Sequence, residues 1–207
     1  MKKILRNFIN KLKDRYLCLS LLLGITGSVF LNQLINLLRL KEIFPAYAQN
    51  IQSQMFMYPL LTGIILYGII SPLVEEAAFR WILFGRLKLY MATGAAAIFS
   101  SIIFGIYHGN FIQFIYAVIF GIELCFVYWR FDGPHASFLS HAGANITVYT
   151  TASFGGFEFL STVRGELISV VISGILTFTV LKILYDSRPK ERHVNRRLPI
   201  FPRKWEN

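Results

Sequence analysis

Six apolar runs, each about as long as a membrane-spanning helix, constrain the fold of this chain more than any other feature. The runs cover residues 16–38, 55–70, 91–107, 111–129, 134–151 and 167–185. A helix of roughly 20 residues crosses a hydrocarbon core about 30 Å thick, because it rises about 1.5 Å per residue. The chain is 55% hydrophobic with a mean hydropathy of +0.52, which is too apolar for an ordinary soluble domain. The sequence therefore predicts an all-α, polytopic transmembrane helical bundle with about six spans.

The two ends of the chain are basic and flank the predicted bundle of residues 16–185. Residues 1–15 hold six of the 21 Lys and Arg residues, with apolar side chains between them at helical spacing. This pattern predicts an amphipathic helix on the membrane surface. Residues 186–207 hold seven more cations and three prolines. We expect this segment to be a largely unstructured basic tail beside the anionic inner leaflet.

The distribution of charge predicts the orientation in the membrane. With the N-terminus inside, the outer loops hold Arg39, Lys41 and Arg164, and most of the remaining cations fall on the inner side. The positive-inside rule then places both termini in the cytoplasm, and we expect an integral protein of the plasma membrane. Nucleic acid is not an expected partner, because no basic face interleaved with aromatic residues accompanies the net charge of +10.

A group of three charged residues lies directly after the second apolar run. Glu75, Glu76 and Arg80 follow Ser71-Pro72 in a segment otherwise apolar enough for lipid. A charge near the bilayer centre costs at least about 2.5 to 3.5 kcal/mol on insertion scales, so such a group indicates a functional site. On an α-helix, Glu76 and Arg80 share one face, whereas Glu75 points roughly 100° away. The pattern predicts that Arg80 neutralises Glu76 and leaves Glu75 available for chemistry.

Four further polar residues lie in or beside later apolar runs: His108, Glu123, His141 and Asn145. His141 and Asn145 are four residues apart and share one helix face, which suits two side chains that act on one bound group. Taken singly, an intramembrane His or Asn also fits a packing role, bonded to a neighbouring helix. Glu123 has no evident partner in the sequence, and we interpret it as structural or interfacial.

Three ordered motifs connect these residues. Residues 75–80 read Glu-Glu-Ala-Ala-Phe-Arg, residues 104–108 read Phe-Gly-Ile-Tyr-His and residues 141–145 read His-Ala-Gly-Ala-Asn. They resemble the EExxxR, FxxxH and HxxxN motifs of the CPBP (Abi) family of intramembrane glutamic endopeptidases, typified by the Ras-converting CAAX protease and by bacteriocin-processing proteins. The resemblance covers about residues 55–151. A glycine that the family pattern expects near position 125 is replaced by Cys125, which questions close helix packing there.

The resemblance implies hydrolysis of a peptide bond by an activated water. This reaction needs a base for the water and hydrogen-bond donors for the developing oxyanion. By similarity to the family, Glu75 is the general base and His108 helps to hold or activate the water. His141 and Asn145 bind the scissile carbonyl and stabilise its oxyanion.

The resemblance also implies supporting residues and a class of substrate. Glu76 and Arg80 brace the site, in agreement with their i, i+4 spacing. The expected substrate is a membrane-embedded or membrane-associated protein or peptide, and no cofactor is expected. Prenylated CAAX proteins, peptide pheromones, bacteriocin leaders and sorting-tail proteins all remain open as substrates.

Other interpretations fit the sequence less well. One Glu and two His residues would also make a zinc set, and zinc stays the alternative cofactor, but two adjacent Glu residues do not share a helix face as the ligands of H-E-x-x-H do. Ser71, Ser100, Ser101 and Ser140 lack the context of a nucleophile elbow. The alternative function is a non-catalytic bacteriocin-immunity or membrane scaffold protein, in which the polar residues join helices.

The predicted spans leave a geometric problem. If the second span ends at residue 70, Glu75 lies toward the cytoplasmic side and His108 falls at the far end of the next span. The two meet only if the helices are broken and tilted, or if the boundaries near Pro72 and Gly109 differ from these. Pro72 fits either the first turn of a new helix or a kink, and the sequence leaves both open.

Overall fold

The computed structural model describes residues 15–44, 57–155 and 162–187, and these residues form seven helices and no strand. The helices are α1 (Arg15–Leu37), α2 (Leu40–Ile43), α3 (Leu60–Leu87), α4 (Thr93–Tyr107), α5 (Phe111–Phe131), α6 (Pro134–Ser153) and α7 (Val163–Asp186). The predicted surface helix of residues 1–15 and the predicted tail of residues 186–207 lie outside the described residues, except for residues 15, 186 and 187.

The helices confirm the predicted membrane bundle. Within the described residues, α1, α3, α5 and α7 are each long and apolar enough to cross a membrane. The other two predicted spans correspond to α4 and α6. Helix α4 is apolar but has 15 residues, about 22 Å of helix. Helix α6 has 20 residues and is less apolar, with buried Ser, Gly and Ala residues along its length.

Helix α6 lies at the centre of the bundle, which explains its composition. It packs against α1, α3 and α5, while α1 also packs against α7. A helix surrounded by other helices needs small side chains for close packing rather than large apolar ones for lipid. By contrast, α3 and α7 expose large apolar side chains on the outside, among them Ile65, Ile82, Ile172 and Phe178.

The contact between α1 and α6 depends on a glycine. A Cβ atom at Gly24 would lie 1.8 Å from the carbonyl oxygen of Ser140, so no larger residue fits there without movement of the backbone. Small residues allow two helix backbones to approach closely in a membrane bundle. Gly24 therefore sets the distance between α1 and the helix that carries His141.

Helix α3 continues through Pro72, and the predicted span boundary at residue 70 was wrong. Residues 64–70 and 76–84 form π-helical turns, which are wider than α-helical turns, on either side of the segment Ser71–Glu75. A proline lacks the N–H that a helix interior needs, and wide turns are a common way to accommodate it. As a result Glu75 lies near the middle of a 28-residue helix.

Helices α4 and α5 pack closely despite Cys125. The thiol is buried and its sulfur lies 3.9 Å from Ser101 Oγ on α4. One turn earlier on α5, a Cβ at Gly121 would lie 2.9 Å from the Oγ of the same serine, closer than van der Waals contact allows. A small serine on α4 therefore accommodates a cysteine where the family pattern expects glycine.

Helices α3 and α4 run antiparallel in a defined register. Ser100 Oγ donates a hydrogen bond of 2.9 Å to the carbonyl oxygen of Phe79. His108 follows Ser100 by eight residues, as Ser71 precedes Phe79 by eight. This register places His108 toward the Ser71 end of α3, on the same side of Phe79 as Glu75, whereas the predicted spans placed it at the far end.

Candidate active site

The six residues of the three motifs come from three parts of the bundle. Helix α3 carries Glu75, Glu76 and Arg80, helix α6 carries His141 and Asn145, and His108 directly follows the last residue of α4. The structure joins Glu75, Glu76, Arg80 and His141 by direct contacts, all four of them buried.

Glu76 lies between two cationic or potentially cationic side chains. Its Oε1 is 3.3 Å from Arg80 Nη1 on the same helix and 2.9 Å from His141 Nδ1 on α6. The side chains of Glu76 and Arg80 are each 1% exposed. A charge removed from water to this extent needs a partner of opposite sign. The predicted i, i+4 pair is therefore present, and His141 is an additional partner.

Glu75 contacts the same imidazole from its other side. Its Oε2 lies 3.5 Å from His141 Nε2, and its Oε1 accepts a hydrogen bond of 2.6 Å from Ser71 Oγ. The sequence predicted that Glu75 points away from Glu76 and stays available for chemistry. Instead, both carboxylates face His141.

The π-helical turn explains why two adjacent carboxylates reach one ring. Glu75 ends the segment Ser71–Glu75, and Glu76 begins the wide turn of residues 76–84. In a wider turn, successive side chains are separated by a smaller angle about the helix axis than in an α-helix. Single wide turns inside helices occur frequently at functional sites.

Phe104 of α4 forms the wall of the site. The guanidinium carbon of Arg80 lies 4.1 Å from the centre of its ring, a distance typical of a cation–π contact. The rings of His141 and His108 both meet Phe104 edge to face, with centroids 5.8 Å and 4.7 Å away. Phe104 thus connects His108 to the four residues in direct contact.

The hydrogen bond of His108 defines its tautomer. Nδ1 lies 2.8 Å from the carbonyl oxygen of Phe104. A carbonyl accepts and does not donate, so we infer that the proton sits on Nδ1. In the neutral ring, Nε2 is then left as an acceptor. Such a nitrogen can accept a hydrogen bond from a water molecule.

Asn145 binds the backbone of α3 rather than another side chain of the site. Its Nδ2 donates a hydrogen bond of 2.9 Å to the carbonyl oxygen of Tyr67. Asn145 lies one turn after His141 on α6, as the sequence predicts. The amide has a second N–H, which remains available for another acceptor.

Two residues of the site were not predicted from the sequence. Ser71 was considered as a nucleophile, yet it donates to Glu75, and its i, i+4 spacing from Glu75 would have indicated this contact on a continuous helix. Phe104 was part of a motif, but its contact with Arg80 depends on how α4 packs against α3 and has no signal in the sequence.

Glu123 lies apart from these contacts, on the part of α5 that faces α1. A Cβ at Gly27 of α1 would lie 2.7 Å from Glu123 Oε2, so the carboxyl group occupies the space next to that glycine. This position fits the structural or interfacial role predicted for it.

The described residues contain no group of three His, Cys, Asp or Glu side chains placed to hold a metal ion. The zinc set that the sequence left open, one Glu and two His residues, stays an alternative. Zinc binding needs three or four ligand atoms directed at one point.

Comparison with known families supports the motifs. The family model described as Type II CAAX prenyl endopeptidase Rce1-like matches residues 57–147, which contain all six motif residues. No curated protein and no solved structure matches the chain. Together with the helices long and apolar enough to span a membrane, the match indicates an integral membrane protein. Residues 57–147 of this protein are similar to the CAAX-type proteases of the CPBP family.

Proposed function

We propose that this protein is a glutamic-type intramembrane endopeptidase that hydrolyses a peptide bond with a water activated by Glu75. The observation that carries the proposal is the buried contact of one imidazole, His141, with two carboxylates, Glu75 and Glu76. Only Glu76 is also paired with Arg80. The arrangement therefore supports a division between a neutralised carboxylate and a working one.

The charges of the cluster favour a particular protonation state. Two carboxylates and one guanidinium carry a net charge of −1, which is costly inside a membrane. A proton on His141 makes the cluster of Glu75, Glu76, Arg80 and His141 neutral. Nδ1–H of His141 then donates to Glu76 at 2.9 Å, and Nε2–H faces Glu75 in a charge contact of 3.5 Å.

The proposed reaction starts with a water molecule between Glu75 and the scissile carbonyl. Glu75 removes a proton from the water, and the water oxygen attacks the carbonyl carbon. The carbonyl oxygen takes the electron pair of its double bond and becomes an oxyanion. When the intermediate collapses, the C–N bond breaks and Glu75 returns the proton to the leaving amine.

The remaining residues stabilise this reaction. His141 Nε2–H, which faces Glu75 in the absence of substrate, turns to the oxyanion when a carbonyl enters beside it. The second N–H of Asn145 is the other donor in our proposal. Each oxyanion donor is typically worth about 10²- to 10³-fold in kcat. His108 accepts a hydrogen bond from the water through Nε2 and orients it.

The substrate is a membrane-embedded or membrane-associated protein or peptide. Glu75 is near the middle of α3, which exposes apolar side chains such as Leu73 and Val74 on its outer face. A substrate that approaches from the lipid meets this helix first. We propose that the protein lies in the plasma membrane with both termini in the cytoplasm.

Substitution of Glu75 tests the proposal. We expect Glu75→Gln protein to insert and fold like the wild type, because Gln keeps the size and the contact with Ser71, but to lose proteolysis by a factor of about 10³ or more. Membrane proteins and secreted peptides of cells with each protein, compared by mass spectrometry, reveal the substrates that the wild type cleaves and the variant does not.

The matched control is Glu123→Gln, because Glu123 is a half-buried carboxyl group of the bundle that lies outside the cluster. It should leave the cleavage pattern unchanged. Equal cleavage by wild-type and Glu75→Gln protein would show that Glu75 is not the base. Loss of the same cleavage products in both variants would point to a general effect of removing an acidic group from the bundle.

Metal removal separates the proposed chemistry from a zinc enzyme. We expect purified protein in lipid nanodiscs to keep its activity after dialysis against a chelator, since the proposed base and donors are side chains of the protein. Activity that disappears on chelation and returns with added Zn²⁺ would contradict the glutamic mechanism.

A non-catalytic role is the second candidate. The observation that favours it is that His141 has no ring nitrogen directed away from the carboxylates, as expected for a cluster that only joins α3 to α6. An immunity or scaffold protein should keep its protection or binding in the Glu75→Gln variant, whereas a protease should not.

A further inference from the structure

The backbone hydrogen-bond pattern of α3 changes at Pro72, three residues before Glu75. The N–H of Ser71 donates to the carbonyl oxygen of Leu66, five residues earlier, as in a π-helix. In the same register, the N–H of residue 72 would donate to the carbonyl oxygen of Tyr67. Proline has no N–H. The carbonyl of Tyr67 instead accepts a hydrogen bond from Asn145 Nδ2 at 2.9 Å.

This bond forms where α3 and α6 are in close contact. A Cβ at Gly68, the residue after Tyr67, would lie 2.5 Å from the side chain of Ile146, the residue after Asn145. Pro72 itself is fully buried. At this distance the Asn145 amide has little freedom, and its bond to Tyr67 fixes the direction of both its N–H groups.

We propose that Pro72 is a positioning residue for Asn145. Because Pro72 has no N–H, the carbonyl oxygen of Tyr67 accepts a hydrogen bond from Asn145 instead. This bond holds the side-chain amide of Asn145 in one orientation. The second N–H of that amide then faces the space beside His141, one turn away on the same helix. This inference rests on the proposed function for its catalytic consequence, whereas the link between Pro72 and Asn145 stands on the geometry.

A purely structural proline makes a different prediction. If Pro72 served only to bend or widen α3, its replacement would act on the whole helix, and the effect would not depend on the residue at position 145. A proline that acts through Asn145 loses its effect when Asn145 is removed. A double-mutant cycle separates these two cases.

The experiment compares wild-type, Pro72→Ala, Asn145→Ala and doubly substituted protein in lipid nanodiscs. Asn145→Ala removes the donor of Tyr67, and we expect the Tm to fall. In the Asn145→Ala variant, Pro72→Ala supplies a backbone N–H that donates to the Tyr67 carbonyl in place of the Asn145 amide. We expect the Tm to rise again by about 2 to 4 °C. In the wild-type background the same substitution should raise the Tm by clearly less.

The kinetic half of the cycle follows the same logic. We expect Pro72→Ala to lower kcat by roughly 10- to 100-fold with little change in KM, because Asn145 is misplaced while the substrate still binds. In the Asn145→Ala background, Pro72→Ala should lower kcat no further. Independent, additive effects on both Tm and kcat would overturn the proposal.

Two further measurements keep the test decisive. Pro59→Ala is the matched control, because Pro59 precedes the first residue of α3, where a helix N–H has no acceptor within the helix. It should leave kcat unchanged. If Asn145→Ala protein does not accumulate, NMR of Asn side-chain amides labelled with ¹⁵N takes its place. Pro72→Ala should then shift the Asn145 signal, and an unshifted signal would overturn the proposal.

The result also distinguishes this inference from the proposed function. If the wild-type protein has no proteolytic activity, the proposed function is wrong. The double-mutant cycle measured by Tm and the NMR signal of the Asn145 amide would still show whether Pro72 orients Asn145. If the protein is active but the effects of Pro72→Ala and Asn145→Ala on Tm and kcat are additive, the proposed function stands and the positioning role of Pro72 is wrong.

Discussion

Arg80 is the residue on which the charge of the cluster most depends. It is fully buried, 3.3 Å from Glu76 and stacked on the ring of Phe104. Removal of one partner from a buried ion pair typically costs about 3 to 5 kcal/mol, because the other charge is left without compensation. We therefore expect Arg80→Met to lower the Tm strongly, by roughly 6 to 20 °C in a chain of this size, as measured by thermal unfolding in detergent.

The control for Arg80 is a cation whose partner is exposed. Lys182 lies 2.9 Å from Asp186, and the two side chains are 76% and 56% exposed. Such pairs are worth about 0 to 1 kcal/mol, so Lys182→Met should shift the Tm little. If Glu76→Gln restores part of the stability of Arg80→Met, the loss came from the uncompensated charge. Equal Tm values for Arg80→Met with and without Glu76→Gln would contradict this explanation.

At the residue scale, the sequence predicted pairs on one helix better than contacts between helices. The Glu76–Arg80 pair followed from i, i+4 spacing alone. The position of His141 between two carboxylates did not, because it depends on how α6 packs on α3. The hydrogen bond from Asn145 to the Tyr67 carbonyl could not be predicted for a further reason. Every residue has a backbone carbonyl, so the residue type does not show which carbonyl accepts a side-chain hydrogen bond, although a proline five residues later is an indication.

At the element scale, the packing of α1 on α6 depends on Gly24. Because a Cβ there would lie 1.8 Å from Ser140 O, Gly24→Ala must push the two helices apart. Overpacking of this kind typically costs about 1 to 3 kcal/mol, and we expect a matching loss of Tm in detergent. Gly94→Ala on α4 is the control, since nothing lies within 4 Å of its added Cβ. A larger loss of Tm for Gly94→Ala than for Gly24→Ala would contradict the packing explanation.

Helix α3 shows where prediction of elements from this sequence stopped. The apolar run ends at residue 70, and the sequence left open whether Pro72 begins a new helix or kinks a continuous one. The helix continues to Leu87 with wide turns on both sides of Pro72. Propensity describes an isolated helix. Here the contacts of α3 with α6 and the bond from Asn145 compensate for the missing N–H. Tertiary packing therefore decided the outcome.

At the scale of the whole molecule, hydrophobicity predicted the helices well and their exposure to lipid less well. Helices α3 and α7 are both apolar enough to cross a membrane and have much of their surface on the outside. The central helix α6 is the least hydrophobic, because other helices surround it where an outer helix would face lipid. The least hydrophobic helix thus carries two residues of the site, His141 and Asn145, and a search for the most apolar segments would pass over them.

The orientation of the bundle is the remaining prediction at this scale. Tyr90, between α3 and α4, and Phe154, after α6, are 80% and 72% exposed, and three predicted spans separate them. With the N-terminus in the cytoplasm, residue 90 lies inside and residue 154 outside. In protein with Cys18 and Cys125 replaced by Ser, a membrane-impermeant maleimide on intact cells should label Phe154→Cys and not Tyr90→Cys, and permeabilised cells should label both. Labelling of neither position in intact cells would show that α4, at 15 residues, does not complete a crossing, and the reverse pattern would invert the topology.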